Sequence, residues 1–261
     1  MQNFTTLVTW ILGPIPLIAL MLAILVMIWA GGRLRRRQVL TGDLKGLGAV
    51  DAAIFSLMSL LIAFTFSGAA QRFDARRQLI IEETNAIGTA YLRLDLLAEG
   101  PRAALQGRFR QYADERIASY RAVPDMPQVE EHLARSVALQ NEIWNGAVKA
   151  AAETGGTPAT MLLLPALNEM IDITTTRLAA TEMHPPAAIY VMLIALTLVG
   201  AMLVGYGMGA NTVRSWPHIL GFAVLLSLAI YVIVDLEYPR LGLVQVSGFD
   251  HYLEDVRQSM K

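Results

Sequence analysis

The chain has 261 residues, 54% of them hydrophobic and 16% charged, with a mean hydropathy of +0.45. A charged fraction well below the usual quarter points to an integral membrane protein. The net charge of −1 leaves no electrostatic footprint for nucleic acid, and the absence of cysteine excludes disulfides, thiolate metal sites and thiol chemistry.

Residues 1–13 carry no charge, and residues 14–30 form an unbroken apolar run. A secretory signal would place its positive charges before such a run. Here Arg33, Arg35, Arg36 and Arg37 follow it, so the run is expected to remain as a first spanning helix. A glycine-rich turn over residues 41–48 leads into residues 51–70, about twenty residues almost free of charge. At ~1.5 Å per residue this is long enough to cross a bilayer core of about 30 Å. This second spanning helix carries Ser56, Ser59, Thr65 and Ser67 among bulky apolar residues. Hydroxyls in such a place face other helices or water rather than lipid tails. Ser56, Leu60 and Phe64 recur at intervals of four, with Leu57 and Leu61 beside them, which fits either a packed bundle helix or an apolar constriction lining a pore.

From residue 72 to residue 182 nothing is long and apolar enough to span. Amphipathic helical patterns take over. The first covers residues 78–97, in continuation of the second spanning helix. Another opens near Pro101 and carries Leu105, Phe109, Tyr112, Arg116 and Tyr120. Residues 124–127 break it. Val129, Leu133, Val137, Ile143, Trp144 and Val148 mark the next, which ends near Gly155-Gly156. Thr157-Pro158 opens a last one through Leu164, Leu167, Ile171, Thr174 and Leu178. His184-Pro185-Pro186 stops it before two more spanning runs, residues 187–206 and 216–234, joined by a turn that holds Arg214. Trp216 sits as an interfacial anchor, and Gly200, Gly205 and Gly209 suit close helix packing.

The expected fold is thus all-α and integral to the membrane. Four transmembrane helices have a helical extramembrane bundle inserted between the second and third. The boundaries read 1–70 for the first two helices, 71–185 for the bundle, 186–236 for the hairpin of the last two, and 237–261 for the tail. His132, His184, His218 and His251 share no metal-ligand spacing, and no nucleotide, zinc-protease or nucleophile-elbow signature occurs. Neither an enzyme nor a cofactor is expected.

The second spanning helix runs into Gln71-Arg72-Phe73-Asp74-Ala75-Arg76-Arg77, and this junction resembles the bestrophin anion channels. There the second transmembrane helix forms the pore neck and is followed by a segment of the type Gly-Phe-Arg. A few small residues follow, and then Tyr-Asp-Arg-Trp-Trp-Glu-Ala-Arg. In register with that pattern, Phe64, Arg72, Phe73 and Arg77 match, while Ala63, Thr65 and Gln71 depart from the family's Gly, Arg and Asp. After the fourth helix bestrophins continue with an acidic-Pro-Phe-Gly segment. Glu237, Pro239 and Gly242 follow that order here beside Asp235, with Arg240-Leu241 in place of the Phe. The chain is also similar to the shorter bacterial proteins of the bestrophin-like group.

The resemblance implies a homo-oligomer, most simply a pentamer, in a bacterial inner membrane, passing small inorganic anions such as chloride. Its neck would be lined by Ser56, Leu57, Leu60, Leu61 and Phe64. Below it Arg72, Arg76, Arg77, Glu82, Glu83 and Asn85 would surround a vestibule. The residue-based alternative for that polar group is an exposed or interhelical face. Animal bestrophins carry an acidic calcium clasp in the tail, but Asp235, Glu237, Asp250, Glu254 and Asp255 form no compact loop, and Glu237 reads as an ion-pair partner of an arginine. A rival function is a non-conducting membrane scaffold or sensor whose bundle binds a partner. Orientation is contested between two rules. Arg33, Arg35, Arg36, Arg37 and Lys45 in a short loop outnumber Arg72, Arg76 and Arg77, which by the positive-inside rule places bundle and termini outside the cytoplasm. Bestrophins have them inside.

Overall fold

The computed structural model describes residues 13–37, 47–153, 157–209 and 215–261. Of the expected turn over 41–48, residues 41–46 with Lys45 lie outside the described residues, as do the glycine pair Gly155-Gly156 and Arg214, whereas Leu47 and Gly48 are helical. Among the described residues eight α-helices follow one another: α1 (Pro14–Arg37), α2 (Leu47–Arg93), α3 (Glu99–Arg121), α4 (Met126–Glu153), α5 (Thr157–Glu182), α6 (Ala187–Met208), α7 (Trp216–Glu237) and α8 (His251–Ser259). Short 3₁₀ turns occupy Leu94–Leu96 and Ser247–Phe249, and no strand occurs among the described residues. Among the described residues four apolar stretches are long enough to cross a membrane: α1, α2, the run that ends in α6, and α7. The protein is therefore an all-helical integral membrane protein. At 47 residues, α2 is roughly 70 Å long, more than twice what a bilayer core requires.

The chain divides into two compact units. One contains the described residues up to Gln71 together with His184–Tyr238; the other contains Arg72–Met183 and Pro239–Lys261.

In the membrane unit α1 packs mainly on α6 and also on α7. Glycines set the closeness of the α1–α6 crossing. A Cβ on Gly205 would fall on the carbonyl oxygen of Ile28, one on Gly31 would fall on that of Met202, and one on Gly209 would lie 2.6 Å from Cβ of Arg35. Backbones that touch in this way gain dispersion where lipid offers no hydrophobic drive. The spanning part of α2 joins through Met58, whose sulfur would lie 3.3 Å from a Cβ on Gly200. Ile24, Ile28, Met58, Ala201, Ile219, Ala223 and Leu226 form the shared core.

In the other unit the far half of α2 packs with α3, α4, α5 and α8 around Ile87, Tyr91, Phe109, Tyr112, Ile143, Leu167, Met170 and Leu253. The stripe on α3 is buried at Leu105, Phe109, Tyr112 and Arg116, as its spacing predicts. On α4 the expected apolar stripe is buried at Val129 and Ile143 and departs from the inward face elsewhere. Val137 and Val148 are exposed, whereas Ser136, Gln140 and Ala147 are buried. Gln140 is drawn inward because its Nε2 donates to the Tyr112 hydroxyl at 3.2 Å and to Thr174 Oγ1 at 3.4 Å. Part of the expected break at 124–127 is helix: Asp125 Oδ1 accepts the Gln128 N–H at 3.3 Å, and Pro127 takes a place in the first turn of α4.

Candidate functional site

On the spanning part of α2, helical periodicity separates two faces. Met58, Thr65 and Ala69 are buried. The Thr65 hydroxyl donates back to the carbonyl of Leu61, which satisfies it inside the helix. Opposite them lie Ser56, Leu60, Ala63, Ser67 and Gln71, all exposed on the single chain. Phe64 and Leu57 flank this face and are 68% and 54% exposed. Leu61 lies further round, half-buried toward the packed side, so of the five expected neck residues it stands apart from the other four. Gln71 Nε2 donates to Ser67 Oγ at 3.0 Å. The exposed face thus alternates hydroxyls with bulky apolar groups, whereas Ile18, Leu22, Val26 and Trp29 on the outward side of α1 are all apolar.

Beyond the spanning part, the polar residues of α2 separate by role. Glu82 and Asn85 are exposed on one side. Glu83 points into the bundle and is fully buried, as the interhelical alternative requires. Its Oε1 accepts from Arg116 Nε at 2.6 Å, while Oε2 accepts from Arg177 and, at 2.9 Å, from the Tyr120 hydroxyl. Burial alone would raise the Glu83 carboxyl. The charges of Arg116 and Arg177 outweigh burial and hold it at about 2. Burial, reinforced by Glu83, pushes the Tyr120 phenol above its ordinary range. Three guanidiniums surround the Tyr120 ring, those of Arg177, Arg240 and Arg116 lying 4.2, 4.6 and 5.0 Å from its centroid.

Arg76 is buried and donates to the carbonyls of Ala180 and Met183, both at 2.9 Å, so it caps the C-terminal end of α5. Arg77 pairs with Asp74 at 3.0 Å and lies over the Phe249 ring at 4.5 Å. Arg72 is half-buried. Of the six residues expected around a vestibule, Arg76 and Glu83 are thus committed to holding helices together. Glu82 and Asn85 present themselves outward. This division was missed at the sequence level, because the partners Arg116, Arg177 and Ala180 lie on distant elements.

The tail motif divides between the units. In the membrane unit Asp235 and Glu237 are buried. Tyr231 hydrogen-bonds Asp235, and Glu237 Oε2 lies 3.4 Å from His184 Nδ1, whose ring stacks on Tyr238 at 4.8 Å. His184 is thus one neighbour of the buried Glu237 carboxylate. In the bundle unit the Val246 N–H donates to the Pro239 carbonyl at 2.9 Å, which closes a loop that contains Gly242. Arg240 grips Asp250 with two hydrogen bonds of 2.9 and 2.8 Å. Glu254 is paired with Arg121 at 2.6 Å. Among the described residues no three His, Cys, Asp or Glu side chains converge to hold a metal.

A long spanning helix with a hydroxyl-bearing exposed face, in a four-helix membrane unit joined to a helical bundle, defines a channel-like membrane protein. The family profile of the bestrophin-like domain matches residues 18–248, and the chain belongs to that family. Bestrophins are channels rather than enzymes. Comparison with curated protein sequences gives no match. Among solved structures, the fold is similar to a bacterial bestrophin homolog from Klebsiella pneumoniae in two crystal structures. To an Asp-to-Ala variant the identity is 14% and the TM-score 0.67, with 95% of this chain and 99% of that chain covered. To a Tyr-to-Ala variant the identity is 16% and the TM-score 0.66, with coverages of 94% and 98%.

Proposed function

We propose that this protein is a passive pathway for small inorganic anions of the chloride type. Its neck forms where the exposed faces of several copies of α2 meet around an axis, in a homo-oligomer that is most simply a pentamer. The observation that carries this reading is the face of α2 opposite Met58 and Thr65, where Ser56, Leu60, Ser67 and Gln71 are exposed on the single chain. Lipid tails offer such hydroxyls no partner, whereas a symmetric, partly hydrated axis does. Membership of the bestrophin-like family supports the same reading. Leu60 and Phe64 are the bulky groups beside this line, and they constrict the neck by resisting wetting. Glu82, Asn85 and the arginines near the membrane end, Arg72 and Arg77, bias the ions that approach. Arg33, Arg35, Arg36 and Arg37 place the end of α1 on the cytoplasmic side of a bacterial inner membrane by the positive-inside rule.

The test replaces Leu60 and Phe64 together with Ala and measures chloride flux into liposomes. The double variant is expected to pass chloride faster than the parent while eluting as the same oligomer. Unchanged chloride flux, with elution unchanged, would overturn the pathway in favour of a scaffold. A rise for sodium equal to that for chloride would overturn the anion preference.

A further inference from the structure

A second site lies in the membrane unit, away from the face of α2. A groove of about 240 Å³ is lined by Leu25, Ile28, Trp29 and Gly32 of α1, by Gly205, Met208 and Gly209, and by Trp216 and Ile219 of α7. It is apolar and owes its depth to glycines. At its floor α1 and α6 touch directly: a Cβ on Gly205 would fall on the Ile28 carbonyl, and one on Gly209 would meet the Cβ of Arg35. Two tryptophans, Trp29 and Trp216, stand exposed at its edges, the position of indole rings at a membrane interface.

The α1 residues in the groove are spaced by three and four, and that spacing continues onto Arg35 and Arg36 one turn beyond Gly32. Arg35 is held over the Tyr206 ring at 5.2 Å and donates to the Tyr206 hydroxyl at 3.4 Å. Arg33 lies over Trp29 at 5.4 Å. Arg35 thus adjoins the lining residue Gly209, and Arg33 adjoins the lining residue Trp29, and each guanidinium carries more donors than these contacts use. An apolar groove with arginines beside its lining is complementary to a lipid with a phosphate head.

We propose that this groove is a binding site for an anionic phospholipid: one acyl chain lies against Leu25, Ile28 and Ile219, and the phosphate meets Arg33, Arg35 and Arg36. The site is independent of whether α2 lines a conducting neck.

The test uses the full chain, stripped of lipid in mild detergent. Native mass spectrometry counts bound phosphatidylglycerol against phosphatidylcholine of the same acyl composition. The parent is expected to prefer phosphatidylglycerol by about tenfold or more, since each basic residue near a lipid head favours an anionic one. The variant with Arg33→Gln, Arg35→Gln and Arg36→Gln should bind both lipids alike. Phosphatidylglycerol with brominated acyl chains should quench the fluorescence of the parent, and Trp29→Phe with Trp216→Phe should abolish most of that quenching. Equal binding of the two lipids by the parent overturns the proposal without reference to any variant. So does a preference that survives the triple substitution. Quenching that persists without both tryptophans moves the lipid elsewhere. Glycerol phosphate that competes as well as the intact lipid would make the ligand a free phosphate and refute the acyl slot.

Discussion

Replacing Glu83 by Gln removes the negative charge that two buried guanidiniums share. Arg116 Nε lies 2.6 Å from the carboxylate, Arg177 touches its other oxygen, and Glu83 itself has no exposed surface. Breaking such a pair from one side costs about 3–5 kcal/mol, because the remaining charges stay buried without a counter-charge. Titration gives a similar figure. A carboxyl held at about 2 in the folded chain against an ordinary 4.5 is stabilised by about 3 kcal/mol at neutral pH. The sign follows from the depression. The stabilisation is complete above about pH 4.5 and disappears as pH falls through about 2. Glu83→Gln carries no such titration. The parent should therefore unfold about 5–10 °C above the variant at pH 7, and the gap should shrink by more than half at pH 3. Thermal unfolding of the full chain in detergent, followed by Trp144 fluorescence with Trp10, Trp29 and Trp216 changed to Phe, measures both. Equal unfolding temperatures at pH 7, or a gap of the same size at pH 7 and pH 3, would refute the ion-pair reasoning. Replacing Glu83, Arg116 and Arg177 together by Leu, Met and Met should restore most of the loss, since a filled apolar site leaves no stranded charge.

Gly205→Ala should destabilise the membrane unit by about 1–3 kcal/mol, because its Cβ would overlap the Ile28 carbonyl. Gly221→Ala, whose Cβ meets nothing within 4 Å, is the control, and heat-induced loss of the folded elution peak reads both. Arg76→Ala should leave the carbonyls of Ala180 and Met183 without their guanidinium, at about 1–3 kcal/mol, seen as faster amide exchange in the last turn of α5. Single cysteines at Gln71 and Tyr238, in a chain with none of its own, should be labelled by an impermeant maleimide from the same membrane face; opposite faces would refute the four-crossing topology.

The spanning helices were legible because twenty apolar residues leave few alternatives in any solvent. The glycines of α6 were legible as well, since Gly200, Gly205 and Gly209 recur along one side and the partner backbone comes to them. The bundle was harder to read. Its α4 stripe rests on a polar residue: Gln140 is buried by two hydrogen bonds to α3 and α5, and Val137 and Val148 turn outward in consequence. Apolar periodicity cannot anticipate a face chosen by a buried amide. The same limit hid the cluster on Glu83, whose partners lie 33 and 94 positions away in the chain.

For the neck, spacing alone grouped Leu61 with Leu57, because neighbours on a helical net look alike until one face is covered. Met58 settles the rotation. Its contact with the Gly200 region turns Leu61 partway toward the packed side and leaves Ser56, Leu60 and Ser67 outermost. The glycine that admits Met58 therefore also fixes which side chains α2 presents. A larger residue at 200 would press on the side chains of Met58 and Phe55, each 3.3 Å from a Cβ there, and where they cannot shift, α2 must rotate or move away. Either response alters the line of hydroxyls. The packing of α6 and the character of the exposed face of α2 are thus one physical problem, joined at Gly200.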